Sequence, residues 1–252
     1  MPETIRRGYA PSDAREFSGE RLRLLRRAQE DVCYLLNRGY GVSRAVTFVG
    51  DRFQLSSRQR MALARASCSG EQLRGRRRRE RTADFEGGTL LIDGFNLVIP
   101  LEIALSGSTL IRCMDGAVRD LAGLHGSYRL IDKTDPAILL IGGELGRMGV
   151  SGAEFVLDSP VSNAGRLGKR IAALLGGRPY RVGVTLTGRA DGMLYGKENV
   201  ATGDSAILDR CVSWVNLAAR ILRRLPDCRL IDLSLPGAEA DGAGGAEPPE
   251  AP

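Results

Sequence analysis

The segment Leu90-Leu91-Ile92-Asp93-Gly94-Phe95-Asn96-Leu97-Val98 constrains this chain more than any other. An apolar run of strand length ends on an acid, and the glycine that follows lets the backbone bend sharply. The pattern predicts a buried strand with a carboxylate at its carboxyl end. In an open α/β sheet that end faces the crevice where ligands bind, so the positions of the other acids decide what such a chain can do.

From Thr89 onward, strand and helix patterns alternate. Strands are expected over 89–93, 154–158, 181–186, 199–202 and 229–233, with helical stretches over 109–122, 136–147, 163–175 and 205–224. The last shows one apolar stripe through Ile207, Leu208, Cys211, Val215, Ala218, Ile221 and Leu222. Strands separated by helices of this length predict an α/β fold with a three-layer, mainly parallel sheet. Four acids then fall at or just past successive strand ends: Asp93, Asp158, Asp191 and Asp204. Each also has a plain structural role open to it. Asp93 can close a turn with Gly94, Asp158 can cap the turn before Ser159-Pro160, and Asp204 can N-cap the following helix.

Carboxylates gathered on one edge repel one another and take up protons more readily unless a cation neutralises them. Oxygen ligands of this kind suit Mg²⁺ or Mn²⁺. The single histidine, His125, excludes a multi-histidine centre and is read as structural. Glu102, Asp115, Asp120, Lys133 and Asp209 lie near the same edge in the expected fold. Of these, Glu102 on an apolar helix face and Asp209 one turn beyond Asp204 are candidate additional ligands.

The first third differs in character. Residues 1–88 hold 19 Arg against 11 acids, a net charge of +8, whereas residues 89–252 hold 17 Lys plus Arg against 19 acids. A basic module joined to a near-neutral one suits binding to a polyanion, although an arginine-rich codon usage produces the same excess. Residues 1–18 have no periodic pattern and are expected to be a flexible arm. Residues 19–70 form a helical module, with Arg58, Arg60 and Arg65 pointing outward from its last helix. Its helix–turn–helix outline around Phe53-Gln54-Leu55-Ser56 fits either a DNA-reading unit or plain helical packing. Residues 71–88 are expected to be an extended Arg-rich linker, in which Arg76, Arg77, Arg78 and Arg79 either contact phosphates or only join the two parts. Residues 236–252 are too rich in Gly, Ala, Glu and Pro to build a core.

The five cysteines, Cys33, Cys68, Cys113, Cys211 and Cys228, show no close spacing and read as reduced core thiols. No run of about 18 apolar residues is present, and the polar, basic N-terminus lacks a signal-peptide core. A cytoplasmic protein without a membrane partner is expected.

Residues 88–234 resemble the PIN-like nuclease superfamily, and its NYN branch most. The resemblance rests on Ile92-Asp93-Gly94-Phe95-Asn96, on Asp158 after a second central strand, on Ala190-Asp191 opening a helix, and on Thr202-Gly203-Asp204-Ser205 before another. It implies a metal-dependent ribonuclease in which Asp93, Asp158 and Asp204 hold Mg²⁺ or Mn²⁺, with Asp191 as a further catalytic acid. Asn96 would orient the first acid or a phosphate, and the nucleic-acid partner would be RNA in preference to DNA. The stretch Asp158 to Arg166 departs from that pattern. Its Ser162, Asn163 and Arg166 either hold a phosphate near a helix start or make a tight helix entry. The whole chain also resembles an uncharacterised two-part prokaryotic family, a short helical domain before an α/β domain, and that resemblance carries no activity. A non-catalytic nucleic-acid-binding protein that keeps the nuclease-like fold is the alternative. A Toprim-like phosphoryl-transfer domain fits less well, because the chain has no Asp-x-Asp.

Overall fold

A computed structural model describes residues 5–123, 126–225 and 227–234. His125 and the expected tail at 236–252 lie outside the described residues. The first third folds as helices α1 (Asp13–Glu16), α2 (Gly19–Asn37), α3 (Val42–Arg52), α4 (Ser57–Ala66) and α5 (Gly70–Arg79). Then come β1 (Thr89–Asp93), α6 (Gly94–Leu105), β2 (Leu110–Arg112), β3 (Val118–Asp120), α7 (Thr134–Arg147) and β4 (Gly152–Asp158). The chain continues with α8 (Ala164–Leu175), β5 (Arg181–Thr187), α9 (Ala190–Leu194) and β6 (Val200–Ala201). It closes with α10 (Ser205–Leu208), β7 (Trp214–Val215), α11 (Leu217–Leu222) and β8 (Leu230–Asp232).

The main sheet has the order β5-β4-β1-β6-β7, and every pairing in it is parallel. Both faces are covered, as parallel sheets require. Leu90, Ile92, Phe155 and Leu157 pack with α6, α7, α8 and α11. Val156, Val200 and Trp214 pack with α9 and α10 on the other face. The expected three layers are present. Gly94 is needed where β1 turns into α6, because a Cβ there would collide with Leu157 Cδ2 and stand 3.3 Å from the Val156 carbonyl.

A second sheet, β3-β2-β8, joins the two parts of the chain. Its period-2 alternation works on both sides: Leu110 enters the α/β core, while Ile111 enters the core of the helical module with Leu25, Val32 and Leu63. Strand β8 therefore lies in this sheet and not in the main one.

Several expectations are corrected. The helix expected over 109–122 is the β2–β3 hairpin. Gly116 adopts φ +81°, and the Asp115 carboxylate accepts from the Ala117 amide across the turn at 3.1 Å. The helix expected over 205–224 is broken into α10, β7 and α11. Its stripe is real but serves two cores, because Ile207, Leu208 and Cys211 pack with Trp214 while Val215, Ala218 and Ile221 face the other side of the sheet. The arm is not loose over its described part. Asp13 is buried and forks with Arg58 at 2.9 Å, and Arg7 pairs with the fully buried Glu102 at 2.9 Å.

The Arg-rich linker is also not extended over residues 70–79. It is helix α5, opened by a capping box between Ser69 and Gln72. Arg76 is buried within it, bonding Asp115 at 2.7 Å and Asp209 at 2.7 and 2.8 Å. Arg119 reaches the same Asp115 at 2.6 Å. Two guanidinium groups hold the Asp115 carboxyl below its ordinary range despite its burial. Among the described residues no helix is long and apolar enough to cross a membrane.

Removing the shared anion should be costly. Asp115→Ala leaves Arg119 buried without its carboxylate, and breaking such a pair typically costs about 3–5 kcal/mol. Urea denaturation should show a loss of that order. A loss below about 1 kcal/mol would mean that water solvates the two arginines and that the network does not hold the parts together.

Candidate functional site

Strand β1 delivers Asp93 to the carboxyl edge at the centre of the sheet, and only 6% of its surface stays exposed. Two donors meet its Oδ2: Asn96 Nδ2 at 2.8 Å and Thr202 Oγ1 at 2.7 Å. Asn96 reaches it because α6 starts at Gly94, which sets the two side chains three residues apart on one turn. Thr202 lies just past β6. Its hydroxyl also accepts from the Asp204 amide at 3.0 Å, so one side chain ties the first acid to the loop carrying the fourth. Asp204 N-caps α10 through Oδ1, which accepts from Ala206 and Ile207 at 2.7 and 3.2 Å. The capping role and a place at the site are both filled by this residue.

Asp158 ends β4 and is half-buried, and Asp191 stands exposed in the first turn of α9. All four acids line one cavity of about 410 Å³. They also act on one another. Burial, then the charges of Asp204 and Asp191, raises the Asp93 carboxyl to about 6, against the pull of the Thr202 and Asn96 hydrogen bonds. Asp191 is raised by burial and then by Asp204 and Asp158.

The other walls were less legible. Phe95, Ile99 and Pro100 of α6 form an apolar side of the cavity, Asp120 belongs to β3, and Ala64 and Arg65 come from α4 of the helical module. Arg65 is therefore not directed to bulk solvent, a correction to the outward position expected for it. Arg58 and Arg60 are likewise committed, to Asp13 and Asp51 respectively. Arg58, Arg60 and Arg65 are thus bonded to Asp13, Asp51 and Asp120, and α4 packs as part of the helical module.

Other candidates sit elsewhere. Ser162 Oγ and Asn163 Nδ2 both donate to the Tyr128 carbonyl, at 3.0 and 2.7 Å, and Asn163 enters α8 with φ +61°. These residues latch a loop and make a tight helix entry. Arg166 is exposed and reaches Asn163 Oδ1 at 3.4 Å. Arg76 is withdrawn into the core, Arg77 and Arg78 are exposed on α5, and Arg79 is half-buried. Glu102 is bonded to Tyr128 and Thr134, and Asp209 to Arg76 and Gln72, so neither joins the four acids.

Among the described residues, no three His, Cys, Asp or Glu side chains stand together as a ready metal shell. The donor set nonetheless suits a hard ion. The lining residues include carboxylates and no Cys or His, and both hydrogen bonds to Asp93 fall on one oxygen, so Oδ1 takes no part in them. Mg²⁺ keeps several waters and needs only one or two direct carboxylates. Asp93, Asp158 and Asp204 are the residues that would hold it.

Fold and cavity together define an α/β protein with a carboxylate-lined cleft at the carboxyl edge of a parallel sheet, walled on one side by a helical module. The chain belongs to the family described as Domain of unknown function (DUF5616), whose model matches residues 82–220. Residues 24–79 match a second model, Protein of unknown function (DUF434). An uncharacterized protein of Methanocaldococcus jannaschii is 34% identical over 185 residues, covering 73% of this chain and 88% of that protein. No solved structure matches the chain.

The raised Asp93 carboxyl carries a stability consequence. Against an ordinary 3.8, a folded value of about 6 makes ionised Asp93 oppose folding. Its contribution is fully favourable below about pH 4 and is lost as pH rises through 6. Asp93→Asn removes the charge and keeps an oxygen for Asn96 and Thr202. The variant should be more stable than wild type at pH 7.5, by about 2–3 kcal/mol, with the gap closing by pH 4. Paired denaturation curves at the two pH values check this, and a variant less stable at pH 7.5 refutes it.

Proposed function

We propose that this protein is a metal-dependent nuclease of PIN/NYN-like type, acting on a phosphodiester of RNA in preference to DNA. One observation carries the proposal: four acids at or just past four strand ends line a single cavity, where burial and then the charges of Asp204 and Asp191 raise the proton affinity of Asp93. Such mutual repulsion is relieved by a cation. Bound there, Mg²⁺ or Mn²⁺ would supply charge neutralisation at a phosphate and acidification of water.

The chain's own residues have distinct tasks in this scheme. Asn96 and Thr202 fix the Asp93 carboxylate from one side, leaving its second oxygen outside that pair of bonds. Asp204 is held in place by the two amides it caps. Asp191, exposed and with its proton affinity raised, is suited to accept a proton from water at the cavity mouth. Phe95, Ile99 and Pro100 give an apolar wall that limits water around the reacting centre. The exposed arginines Arg74, Arg77 and Arg78 on α5 supply positive charge for a nucleic-acid backbone.

A second reading has one observation in its favour. The acids do not form a ready three-residue shell, which is what a nucleic-acid-binding protein without turnover would show.

The two readings separate on one experiment. With Mn²⁺, the wild type should cleave end-labelled RNA, and Asp93→Asn and Asp204→Asn should each lower the rate by on the order of 10²-fold or more. Asn caps a helix as well as Asp does, so Asp204→Asn should keep α10 and isolate the loss of charge. Wild-type RNA binding without cleavage under any divalent ion would select the non-catalytic reading. Cleavage that survives both substitutions would remove the acids from the mechanism.

A further inference from the structure

The cavity has two walls of opposite character. One is the acidic sheet edge. The other is built from α4 and β3, which bring Arg65, Arg119 and Asp120. The two guanidinium groups on that wall are not equivalent. Arg119 is fully engaged, with two bonds to Asp115, one to the Gly203 carbonyl at 2.7 Å and one to the Arg65 carbonyl at 2.9 Å. Arg65 keeps 28% of its side chain exposed. It meets the Asp120 carbonyl at 2.8 Å and the Asp120 carboxylate at 3.3 Å, and both contacts use the same nitrogen, Nη1. The Nε–Nη2 edge takes no part in either. That edge is one of the two paired-donor edges with which a guanidinium grips a phosphate or carboxylate by two parallel hydrogen bonds.

An anion entering a cavity with four carboxylates on one side meets repulsion. A guanidinium lining the same cavity, with a paired-donor edge outside its contacts to Asp120, offsets part of it and gives the anion an orientation. The other arginines of α4, Arg58 and Arg60, are held by carboxylates and backbone carbonyls and do not line the cavity.

We propose that Arg65 grips a backbone phosphate of the nucleic acid bound in this cavity, which makes the helical module part of the substrate site. This rests on the nuclease reading above. It adds that the helical module supplies a substrate contact in the same cavity as the acids, so the α/β part alone has an incomplete site.

The test uses the full chain and a short fluorescent single-stranded RNA, with anisotropy read in EDTA and over a salt series. Arg65→Gln should weaken binding about tenfold and reduce the slope of log K against log salt by about 1. Arg65→Lys keeps the charge without the fork and should lose about threefold. Asp120→Asn releases Nη1 from its carboxylate partner and should tighten binding by roughly two- to threefold. Mn²⁺ affinity, titrated separately without RNA, should be the same in Arg65→Gln as in wild type. Thermal melting of each variant reports whether it folds, and Arg65→Lys carries the test if Arg65→Gln does not. If wild type binds the RNA and the Arg65 variants bind it equally well, the phosphate contact is overturned while the nuclease reading stands. If Asp120→Asn weakens binding as much as Arg65→Gln does, the arginine acts only by holding β3, and the proposal falls. If wild type binds no RNA, the nuclease reading fails and this inference fails with it.

Discussion

The buried contact between Asp115 and the two arginines Arg76 and Arg119 is the joint on which the rest of the structure depends. Asp115 sits in the turn of the β2–β3 hairpin. Arg76 brings α5 to it and also holds Asp209, just past α10. Arg119 carries the link to the Gly203 carbonyl, next to Asp204, and to the carbonyl of Arg65, which lines the same cavity. Trp214 adds a neutral bond, its indole N–H donating to the Arg76 carbonyl at 2.7 Å. One anion and two cations thus set the separation between the loop that carries an acid and the helix that carries a base. Charges this deeply buried hold their geometry because any displacement leaves one of them unpaired in a medium of low polarity.

Part of this was legible in the residue order. β1, β4 and β5 stand out because their apolar runs are bounded by Gly, Pro and Asp, and in β1 and β4 burial on both faces leaves no competing periodicity. Asp93 and Asp158, the last residues of β1 and β4, follow directly. The hairpin was hidden because Leu110, Met114, Ala117 and Leu121 also fall at helical spacing. The Asp115-Gly116 pair, a turn signal in its own right, was the cue that outweighed it. β7 is only two residues long, too short to register as a period. The fate of the arginine run could not be read locally at all, since the partners of Arg76 lie 39 and 133 residues away. Arg65 follows the same rule, its partner being 55 residues distant. Local pattern reports which face of an element is apolar, and only the tertiary arrangement reports what the polar face meets.

The acid cavity shows why a structural role and a functional one need not compete. Asp204 caps a helix with one oxygen, and Asp93 receives both of its donors on one oxygen. A carboxylate has two oxygens and about four lone-pair sites, so each acid can be fixed in place by the fold and still present a donor to a cation. Fixation of that kind lowers the reorganisation needed when charge arrives. Burial and then the charges of Asp204 and Asp191 act against ionised Asp93, so a nearby positive charge would favour its charged form.

The net charge of the first third acquires a different meaning in this light. Many of its arginines are tied to the chain itself: Arg6, Arg26 and Arg81 donate to backbone carbonyls, while Arg7, Arg58 and Arg60 bond carbonyls and also pair with Glu102, Asp13 and Asp51. A carbonyl satisfies a donor without neutralising its charge. The excess therefore persists as a field even where the side chain is tied down, while Arg74 and Arg78 stay exposed. Over about 8 Å, the screening length at physiological salt, that field acts against the repulsion of the four carboxylates. A basic helical module packed against an acidic cleft in this way offsets part of the negative potential that the cleft alone would carry.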